Sequence, residues 1–174
     1  MEAKLDLSIV IPCYNEAQRL PPFLDTVIQH CRSRNERFEI IVVDDGSKDG
    51  TARIVLDQIS RFPEVILIKI YKNRGKGYAV KRGMLKARGE VCVFLDADGS
   101  VHPEEIDRNR PYLSEFDVCV GSRVLKDEHQ VLRVKWYRKC VGLIFNAIVQ
   151  TVLFKNISDT QCGFKMFKRE VVKS

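Results

Sequence analysis

The stretch Val91-Cys-Val-Phe-Leu-Asp-Ala-Asp-Gly99 joins five apolar residues to two carboxylates, and it decides the fold class. A short apolar run without polar alternation is typical of a strand that is buried on both faces of a parallel sheet. Asp96 and Asp98 are therefore predicted to lie at the carboxyl end of this strand. Residues two apart on an extended backbone point the same way, so the two carboxylates are expected to converge.

Three earlier segments share the design of this strand, since they are short, rich in valine and isoleucine, and almost continuously apolar. With the first stretch, the predicted strands are Leu7–Pro12, Glu39–Asp44, Val65–Tyr71 and Val91–Asp96. The segments between them carry apolar residues at helical spacing, which predicts helices at Ala17–Cys31, Thr51–Arg61 and Tyr78–Arg88. This alternation predicts an α/β fold with a mostly parallel sheet, right-handed crossovers and helices on both faces.

Local signals extend the α/β prediction. Asp49 is expected to be the N-cap of the second helix, and Gly89 is expected just beyond the end of the third. Phe116–Gly121 and Gly163–Phe167 are predicted to be further strands, and Val131–Phe154 is predicted to form one or two helices.

Polar residues follow each of the four predicted strands, at Pro12–Glu16, Asp44–Ser47, Asn73–Gly77 and Asp96–Gly99. In open parallel sheets, ligands bind beyond the carboxyl ends of the strands. Scattered turn residues would not place carboxylates at successive strand ends. The sequence therefore predicts a functional site at this edge of the sheet.

The acidic pairs at this edge predict a metal and a nucleotide. Asp96 and Asp98 are hard oxygen ligands suited to Mg²⁺ or Mn²⁺, which would share its other positions with water and phosphate oxygens. A solvated Asp-rich turn is the plain alternative. At Asp44 and Asp45, one carboxylate is expected to accept hydrogen bonds from a base or ribose and the other to close the loop, and the pattern leaves open which does which.

A basic glycine-containing loop, Asn73–Gly77, precedes the third predicted helix. Its glycines let backbone N–H groups approach an anion, and the helix amino terminus favours negative charge. The spacing is not that of a Walker A motif. An anion-binding loop is predicted, with a flexible basic turn as the alternative.

Composition places few limits on function. The 174 residues carry 29 basic and 23 acidic side chains, a net charge of +6 that favours anionic partners. None of the six cysteines forms a C-x-x-C pair, so reduced thiols and the cytoplasmic side of a membrane are expected. No signal region and no apolar run long enough to span a bilayer is visible.

Six ordered motifs carry a resemblance to a known family: Ile9-Val-Ile-Pro-Cys-Tyr-Asn-Glu16, Ile41-Val-Val-Asp-Asp-Gly-Ser47, Asn73-Arg-Gly-Lys-Gly77, Leu95-Asp-Ala-Asp-Gly99, Gly121-Ser-Arg123 and Asp159-Thr-Gln-Cys-Gly-Phe-Lys165. Together they resemble the family 2 glycosyltransferases of GT-A fold, and more narrowly the dolichyl-phosphate glucosyl- and mannosyltransferase group. The mannosyl enzymes usually have glutamine where this chain has Ser100, which favours glucose. The absence of a Q-x-x-R-W motif argues against a processive polysaccharide synthase.

The resemblance implies roles for individual residues. Positions that match the nucleotide-sugar pocket are Pro12, Tyr14, Glu16 and Asp44, with Asp45 alongside, and the D-x-D residues Asp96 and Asp98. Lys76, which is expected to serve the leaving diphosphate, and Ala97 complete the predicted pocket. Asp96 and Asp98 match the D-x-D motif that binds the metal and the diphosphate. Arg123 matches an arginine that grips the lipid phosphate. Asp159 and Gln161 match a motif that faces the sugar and the acceptor, and with the two D-x-D aspartates they are the candidate catalytic residues.

A basic and aromatic segment, Arg133–Lys139, precedes the apolar run Val141–Phe154. This pattern predicts an amphipathic helix at a membrane surface, with Arg138 and then Arg133 as further candidates for the acceptor phosphate. A buried core helix with a basic first turn is the alternative. Nucleic-acid binding is not expected, because the basic residues cluster at this segment and form no nucleic-acid-binding motif.

The whole pattern predicts a single catalytic domain over residues 1–174, with an ending that fits truncation at its carboxyl end. The expected reaction is inverting, metal-dependent transfer of a hexose from a UDP-sugar, or a GDP-sugar, to a dolichyl or undecaprenyl phosphate. Two other classes stay open at this point. One is a non-catalytic module that binds nucleotide sugars or membrane surfaces, and the other is a receiver-type phosphoacceptor domain.

Overall fold

The computed structural model describes residues 5–121 and 162–173 of the chain. The chain divides into two compact units, residues 1–119 with 163–174 and residues 120–162. The secondary structure of the first unit is described almost completely, whereas almost all of the second unit lies outside the described residues. The predicted helical segment Val131–Phe154 also lies outside them.

Strands and helices alternate through the first unit, as the apolar pattern predicts. The strands are β1 (Leu7–Cys13), β2 (Phe38–Asp44), β3 (Val65–Lys69), β4 (Val91–Leu95), β5 (Val118–Val120) and β6 (Phe164–Lys168). The helices are α1 (Leu20–Ser33), α2 (Thr51–Ile59), α3 (Lys76–Met84), α4 (Glu104–Asn109) and α5 (Arg169–Lys173), with a 3-10 helix at Arg110–Ser114. All predicted strands in the described residues are present, and α4, the 3-10 helix and α5 are additions.

The sheet is mostly parallel, with strand order β3-β2-β1-β4-β6-β5. β1 pairs in parallel with both β2 and β4, β2 pairs in parallel with β3, and β6 runs antiparallel to β4. Every residue of β1 and β2 is buried, because these strands are covered on both faces. Right-handed crossovers put α1 and α2 on one face of the sheet and α3 on the other. The reason is that β2 and β3 are added on one side of β1, whereas the crossover after β3 returns past β1 to add β4 on its other side.

Two local predictions are wrong in detail. The N-cap of α2 is Gly50 rather than Asp49, although the Asp49 carboxylate still accepts a hydrogen bond from the Thr51 N–H at 2.9 Å. α3 ends at Met84, so Gly89 does not follow its last turn. A Cβ at Gly89 would lie 2.5 Å from the backbone of β1, so close strand packing explains this glycine.

A buried polar network fastens the amino ends of β1 and β2. Ser8 and Glu39 are register partners, and the Ser8 hydroxyl donates to Glu39 Oε1 at 2.6 Å. The Arg88 N–H donates to the same oxygen at 2.7 Å, and Arg88 Nε donates to Oε2 at 3.0 Å. The Glu39 carboxylate is 2% exposed, and both of its oxygens are hydrogen-bonded, so its burial is compensated.

Among the described residues, no helix has both the length and the apolar character needed to cross a membrane.

Candidate active site

The strand order creates a crevice between β1 and β4. The crossovers from β1 to β2 and from β2 to β3 step one way, and the crossover from β3 to β4 returns past β1. The direction in which the chain crosses the sheet therefore changes between β1 and β4. In open α/β sheets this switch point, at the carboxyl ends of the strands, is where ligands bind.

A cavity of about 340 Å³ lies at this switch point. Its lining residues come from the loops after β1, β2, β3 and β4 and from the start of α3, and they are Pro12, Cys13, Tyr14, Glu16, Asp45, Asn73, Lys76, Ala79, Asp96, Ala97 and Asp98. Every residue assigned to the nucleotide-sugar pocket from the sequence lines this cavity except Asp44. Their roles in binding stay predictions, but the fold brings them together.

Asp96 is the first residue after β4, and its carboxylate is held by a lysine. Lys76 Nζ lies 2.6 Å from Asp96 Oδ1 and 2.8 Å from Oδ2. The Lys76 side chain is 58% exposed and that of Asp96 is 16% exposed. The lysine approaches from the amino end of α3, with its ammonium 5.2 Å from the centre of the Phe94 ring.

Asp98 closes the turn that follows β4. Its Oδ1 accepts the Ser100 N–H at 2.9 Å, and Gly99 between them has a φ of +69°. Burial raises the pKa of Asp98, but hydrogen bonds from the Ser100 backbone and side chain outweigh it, so the net pKa lies below its ordinary value. Asp98 is therefore a carboxylate at neutral pH, beside the pair formed by Asp96 and Lys76.

Asp44 and Asp45 both accept hydrogen bonds from loop backbone. Asp44 is fully buried, and its Oδ1 accepts the Ser47 N–H at 3.0 Å. Its Oδ2 is buried without a hydrogen-bond partner among the described residues. Asp45 lines the cavity, yet its carboxylate accepts the backbone N–H groups of Arg74 and Gly75 at 2.9 and 2.7 Å. Each aspartate thus closes a loop, and Asp44 keeps one free oxygen.

The basic loop is held against β2 by this contact. Gly75 has a φ of +91°, a conformation that glycine adopts without strain, and it precedes the first turn of α3. The Arg74 guanidinium lies 4.9 Å from the centre of the Tyr78 ring. Of the two cations in the loop, Lys76 is the one that lines the cavity.

The loop after β1 forms the opposite wall of the cavity and is tied to the loop after β2. Asn15, with a φ of +56°, accepts the Lys48 N–H at 2.9 Å, and its own N–H donates to Ser47 Oγ at 2.9 Å. The Glu16 carboxylate binds the Arg19 guanidinium at 2.5 and 2.7 Å. Tyr14 and Glu16 are thus presented to the cavity by a braced loop.

Residues 8–174 match the model of the family described as glycosyl transferase family 2. The chain belongs to this family. It is 38% identical to a dolichyl-phosphate beta-glucosyltransferase of Dictyostelium discoideum over 96% of this chain and 55% of that protein. It is 34% identical to the Homo sapiens protein of the same name, over 94% of this chain and 55% of the relative. The chain thus spans about half the length of the curated relatives it matches.

Solved structures of GT-A glycosyltransferases share the fold. The mannosyltransferase PcManGT from Pyrobaculum calidifontis, in complex with GDP-Man and Mn²⁺, aligns with a TM-score of 0.64 and 23% identity over 99% of this chain and 47% of that one. Mannosyl-3-phosphoglycerate synthase from Rubrobacter xylanophilus aligns with a TM-score of 0.68 and 20% identity over 96% and 54% of the two chains. The predicted GT-A fold is confirmed.

The D-x-D carboxylates fit a divalent cation by their chemistry. Both supply hard oxygens to one cavity, and a cation, the Lys76 ammonium, already contacts both oxygens of Asp96. Within residues 5–121 and 162–173, no group of three or more acidic, histidine or cysteine side chains could hold a metal. Two carboxylates suit an ion that takes its remaining ligands from phosphate and water.

The acceptor-side predictions lie outside the described residues. These are Arg123, Arg133 and Arg138 for the lipid phosphate, and Asp159 and Gln161 for the sugar. The predicted membrane-interface helix lies outside them as well.

Sequence reasoning missed four residues at or beside the cavity: Cys13, Asn73, Ala79 and Gly163. Cys13 ends β1, and its burial raises the pKa of its thiol, so it lines the cavity as a neutral group. Asn73, Cys13 and Gly163 stand inside the quoted motifs, which could have identified them. Ala79 had no signal, because a small residue one turn into a helix is unremarkable in any sequence.

Proposed function

We propose that this protein transfers glucose from a nucleoside diphosphate glucose, with UDP-glucose as the first donor to test, to dolichyl phosphate. The observation that carries the proposal is the cavity where Asp96, Asp98 and Lys76 meet at the switch point of a family 2 fold. The names of the relatives, dolichyl-phosphate beta-glucosyltransferases at 32–38% identity, support the choice of sugar and acceptor.

The donor nucleotide is assigned to the wall formed by the loops after β1 and β2. Pro12 and Tyr14 supply apolar surface for a base, and Asp45 and Glu16 supply acceptors for ribose or base N–H groups. Asp44, the residue before Asp45, adds a buried carboxylate whose Oδ2 has no hydrogen-bond partner among the described residues. Ala97, small and between the two D-x-D aspartates, leaves room for the diphosphate.

The diphosphate is assigned to Asp96, Asp98 and Lys76. A Mg²⁺ or Mn²⁺ ion held by the two aspartates would supply positive charge for the leaving diphosphate. Lys76, whose ammonium contacts both oxygens of Asp96, adds a second positive charge. Charge placed in advance where it develops in the transition state is usually the largest single catalytic contribution.

The acceptor phosphate needs no strong base. Its second pKa is about 6 by analogy with phosphoserine, so the monoester is largely a dianion at neutral pH. One of its oxygens forms a bond to the sugar C1 as the bond from C1 to the diphosphate breaks, and the nucleoside diphosphate leaves with the electron pair. Attack opposite the leaving group inverts C1, which agrees with a β-linked product.

The acceptor side is assigned from the sequence. Arg123, Arg138 and Arg133 are candidates to bind the lipid phosphate, and Asp159 and Gln161 are candidates to position the sugar. The amphipathic segment after Arg133 would place the acceptor at the cytoplasmic surface of a membrane. The enzyme's task is then to hold two anionic groups in line.

A donor screen tests this function. The protein is incubated with dolichyl phosphate, Mg²⁺ or Mn²⁺, and a panel of UDP- and GDP-sugars, and products are identified by mass. Glucosyl-phosphoryl-dolichol from UDP-glucose, abolished by chelator and by Asp98→Ala, is expected. Asp117→Asn is the matched control, because Asp117 is exposed and pairs with Lys168 away from the cavity. Donor binding without transfer to any prenyl phosphate would contradict catalysis and favour a binding module.

A further inference from the structure

We propose that Gly163 is a positioning residue that keeps open the space occupied by the Asp96 carboxylate. The inference rests on the proposed use of Asp96 and adds a residue from just before β6 to the site. It comes from the packing between the carboxyl end of β4 and the segment that leads into β6.

The two residues face each other across the antiparallel β4–β6 pair. Leu95 is the register partner of Phe164, and the Asp96 N–H donates to the Gly163 carbonyl at 3.1 Å. A Cβ added to Gly163 would lie 2.5 Å from Asp96 Oδ2, 2.8 Å from Cγ and 3.1 Å from Cβ. Contacts below 3.0 Å essentially never occur for real Cβ atoms, so something must move.

The carboxylate is the group that would move. Phe164 and Met166 of β6 are 1% and 0% exposed, so this strand is fixed in the core. On the other side, Leu95 is fully buried and Ala97 nearly so. Rotation of Asp96 about its own side-chain bonds is therefore the easiest way to relieve the contact, and it changes the position of the carboxylate that Lys76 contacts.

Space rather than backbone conformation explains this glycine. Gly46, Gly75 and Gly99 have positive φ angles, which favour glycine in any loop. Gly163 has no such angle, and the three atoms nearest to an added Cβ all belong to Asp96. The carboxylate and the missing side chain thus occupy the same volume.

The test is Gly163→Ala, with Gly50→Ala as the matched control, since a Cβ at Gly50 meets nothing closer than 3.9 Å and its φ is −76°. Mn²⁺ binding in the presence of UDP is measured by the electron paramagnetic resonance signal of free Mn²⁺. We expect Gly163→Ala to weaken Mn²⁺ binding by about tenfold, the usual effect of disturbing a ligand's support. Gly50→Ala is expected to bind as the wild type does.

A double-mutant cycle with Asp96→Ala separates positioning from general damage. Once the carboxylate is removed, Gly163→Ala should cause no further loss of Mn²⁺ affinity and should cost less stability than in the wild type. If Gly163→Ala alone does not fold, the double variant should recover a cooperative thermal transition. A double variant that also fails to fold, or a single variant that binds Mn²⁺ normally, would overturn the proposal. A wild type that binds neither UDP nor Mn²⁺ would instead defeat the proposed function.

A separate observation, the two short contacts of Lys76 Nζ with Asp96, leads us to infer that Lys76 occupies the cation position until a nucleoside diphosphate arrives. The ammonium contacts both oxygens that a divalent ion would need. Because the Lys76 side chain is more than half exposed, it can swing to a phosphate without disturbing the core. Lys76 then selects the metal–diphosphate complex over the bare metal.

The test compares Lys76→Met, which keeps an unbranched apolar side chain and removes the ammonium, with Lys81→Met, an exposed position later in α3. Mn²⁺ binding without nucleotide should strengthen about threefold in Lys76→Met, the range of an exposed ion pair. UDP binding, measured by calorimetry, should weaken about tenfold through loss of a charged hydrogen bond. Lys81→Met should change neither value. Unchanged Mn²⁺ affinity in Lys76→Met would overturn this inference while leaving the proposed function intact.

Discussion

The two ends of the same strands treat buried charge in opposite ways. At the amino ends, Glu39 receives hydrogen bonds on both oxygens, from Ser8 and from Arg88. At the carboxyl ends, Asp44 keeps a buried oxygen without a partner among the described residues, and Asp96 lines the cavity, where its partner is a single lysine side chain. A charge that the protein satisfies completely stabilises the fold, whereas an incompletely satisfied one retains capacity for a ligand.

This contrast predicts that stability and ligand binding separate by position. Substitutions at the amino-end network should lower the free energy of unfolding and leave the cavity intact. Substitutions at the carboxyl ends should weaken ligand binding or sugar transfer and change the free energy of unfolding much less. The cavity residues Asp98 and Asp45 and the network residue Glu39 allow the separation to be tested.

The largest effect is expected from Asp98→Asn. Asparagine can still accept the Ser100 N–H, so the turn survives while the negative charge is lost. Sugar transfer should fall by roughly 100-fold or more, the usual cost of removing an electrostatic group at the reacting centre. The melting temperature should stay within about 2 °C of the wild type. Sugar transfer at near wild-type rate would show that Asp98 is not needed for the reaction and would contradict the contrast between the two strand ends.

Glu39→Gln should show the opposite pattern. The new amide group faces the Arg88 guanidinium with hydrogens where an acceptor is needed. The free energy of unfolding should fall by about 2 kcal/mol, typical of hydrogen bonds to a charged group. Chemical denaturation measures the loss, and calorimetric UDP affinity should be unchanged. A large loss of UDP affinity in the folded variant would show that the two ends are not independent.

Asp45→Asn should have a smaller effect on both properties, because Asp45 lines the cavity and also holds the Arg74 and Gly75 amides. Loss of one charge-assisted contact to the loop should cost about 1 kcal/mol of stability and weaken UDP binding about fivefold. Denaturation and calorimetry on the same samples give the two values. A variant that changes only the free energy of unfolding would assign Asp45 to the fold alone, and one that changes only UDP affinity would assign it to the site alone.

The smallest effect concerns pH. The folded pKa of Asp98 lies below its ordinary value of 3.8, so its contribution to stability is complete above that value. The contribution is lost as the pH falls through the lower folded value. The stability difference between wild type and Asp98→Asn should therefore be constant from neutral pH down to the ordinary pKa and shrink below it. A difference that changes between neutral pH and that value would contradict the lowered pKa.

Much of the fold could be predicted from the sequence, because strands that are buried on both faces appear as continuous apolar runs. β1, β2 and β4 begin and end within one residue of their predicted bounds. The helix ends were less accurate, since helical periodicity does not fix where a helix stops; α3 ends at Met84, well before the predicted Arg88. α4 was missed because it has only six residues, and its N-cap residue, Pro103, is not one of the polar residues that usually mark the start of a helix.

The site was partly readable for the same reason. Strand ends could be located, so the residues that follow them could be collected into one edge. The sequence could not predict which backbone N–H groups Asp44 and Asp45 would bind. Asp44 binds its own loop at Ser47, and Asp45 reaches across space to Gly75. Gly163 escaped notice because its importance lies in a contact with Asp96 on a different strand. Sequence spacing records neighbours along the chain and not across a sheet.

The most direct test is crystallographic. A crystal of the protein with UDP and Mn²⁺, measured at the manganese absorption edge, locates the ion by its anomalous signal. We expect one strong peak between the Asp96 and Asp98 carboxylates and the diphosphate, with Lys76 Nζ moved from Asp96 to a phosphate oxygen. Nucleotide bound in the cavity with Lys76 still paired to Asp96, and the manganese peak absent or elsewhere, would contradict it.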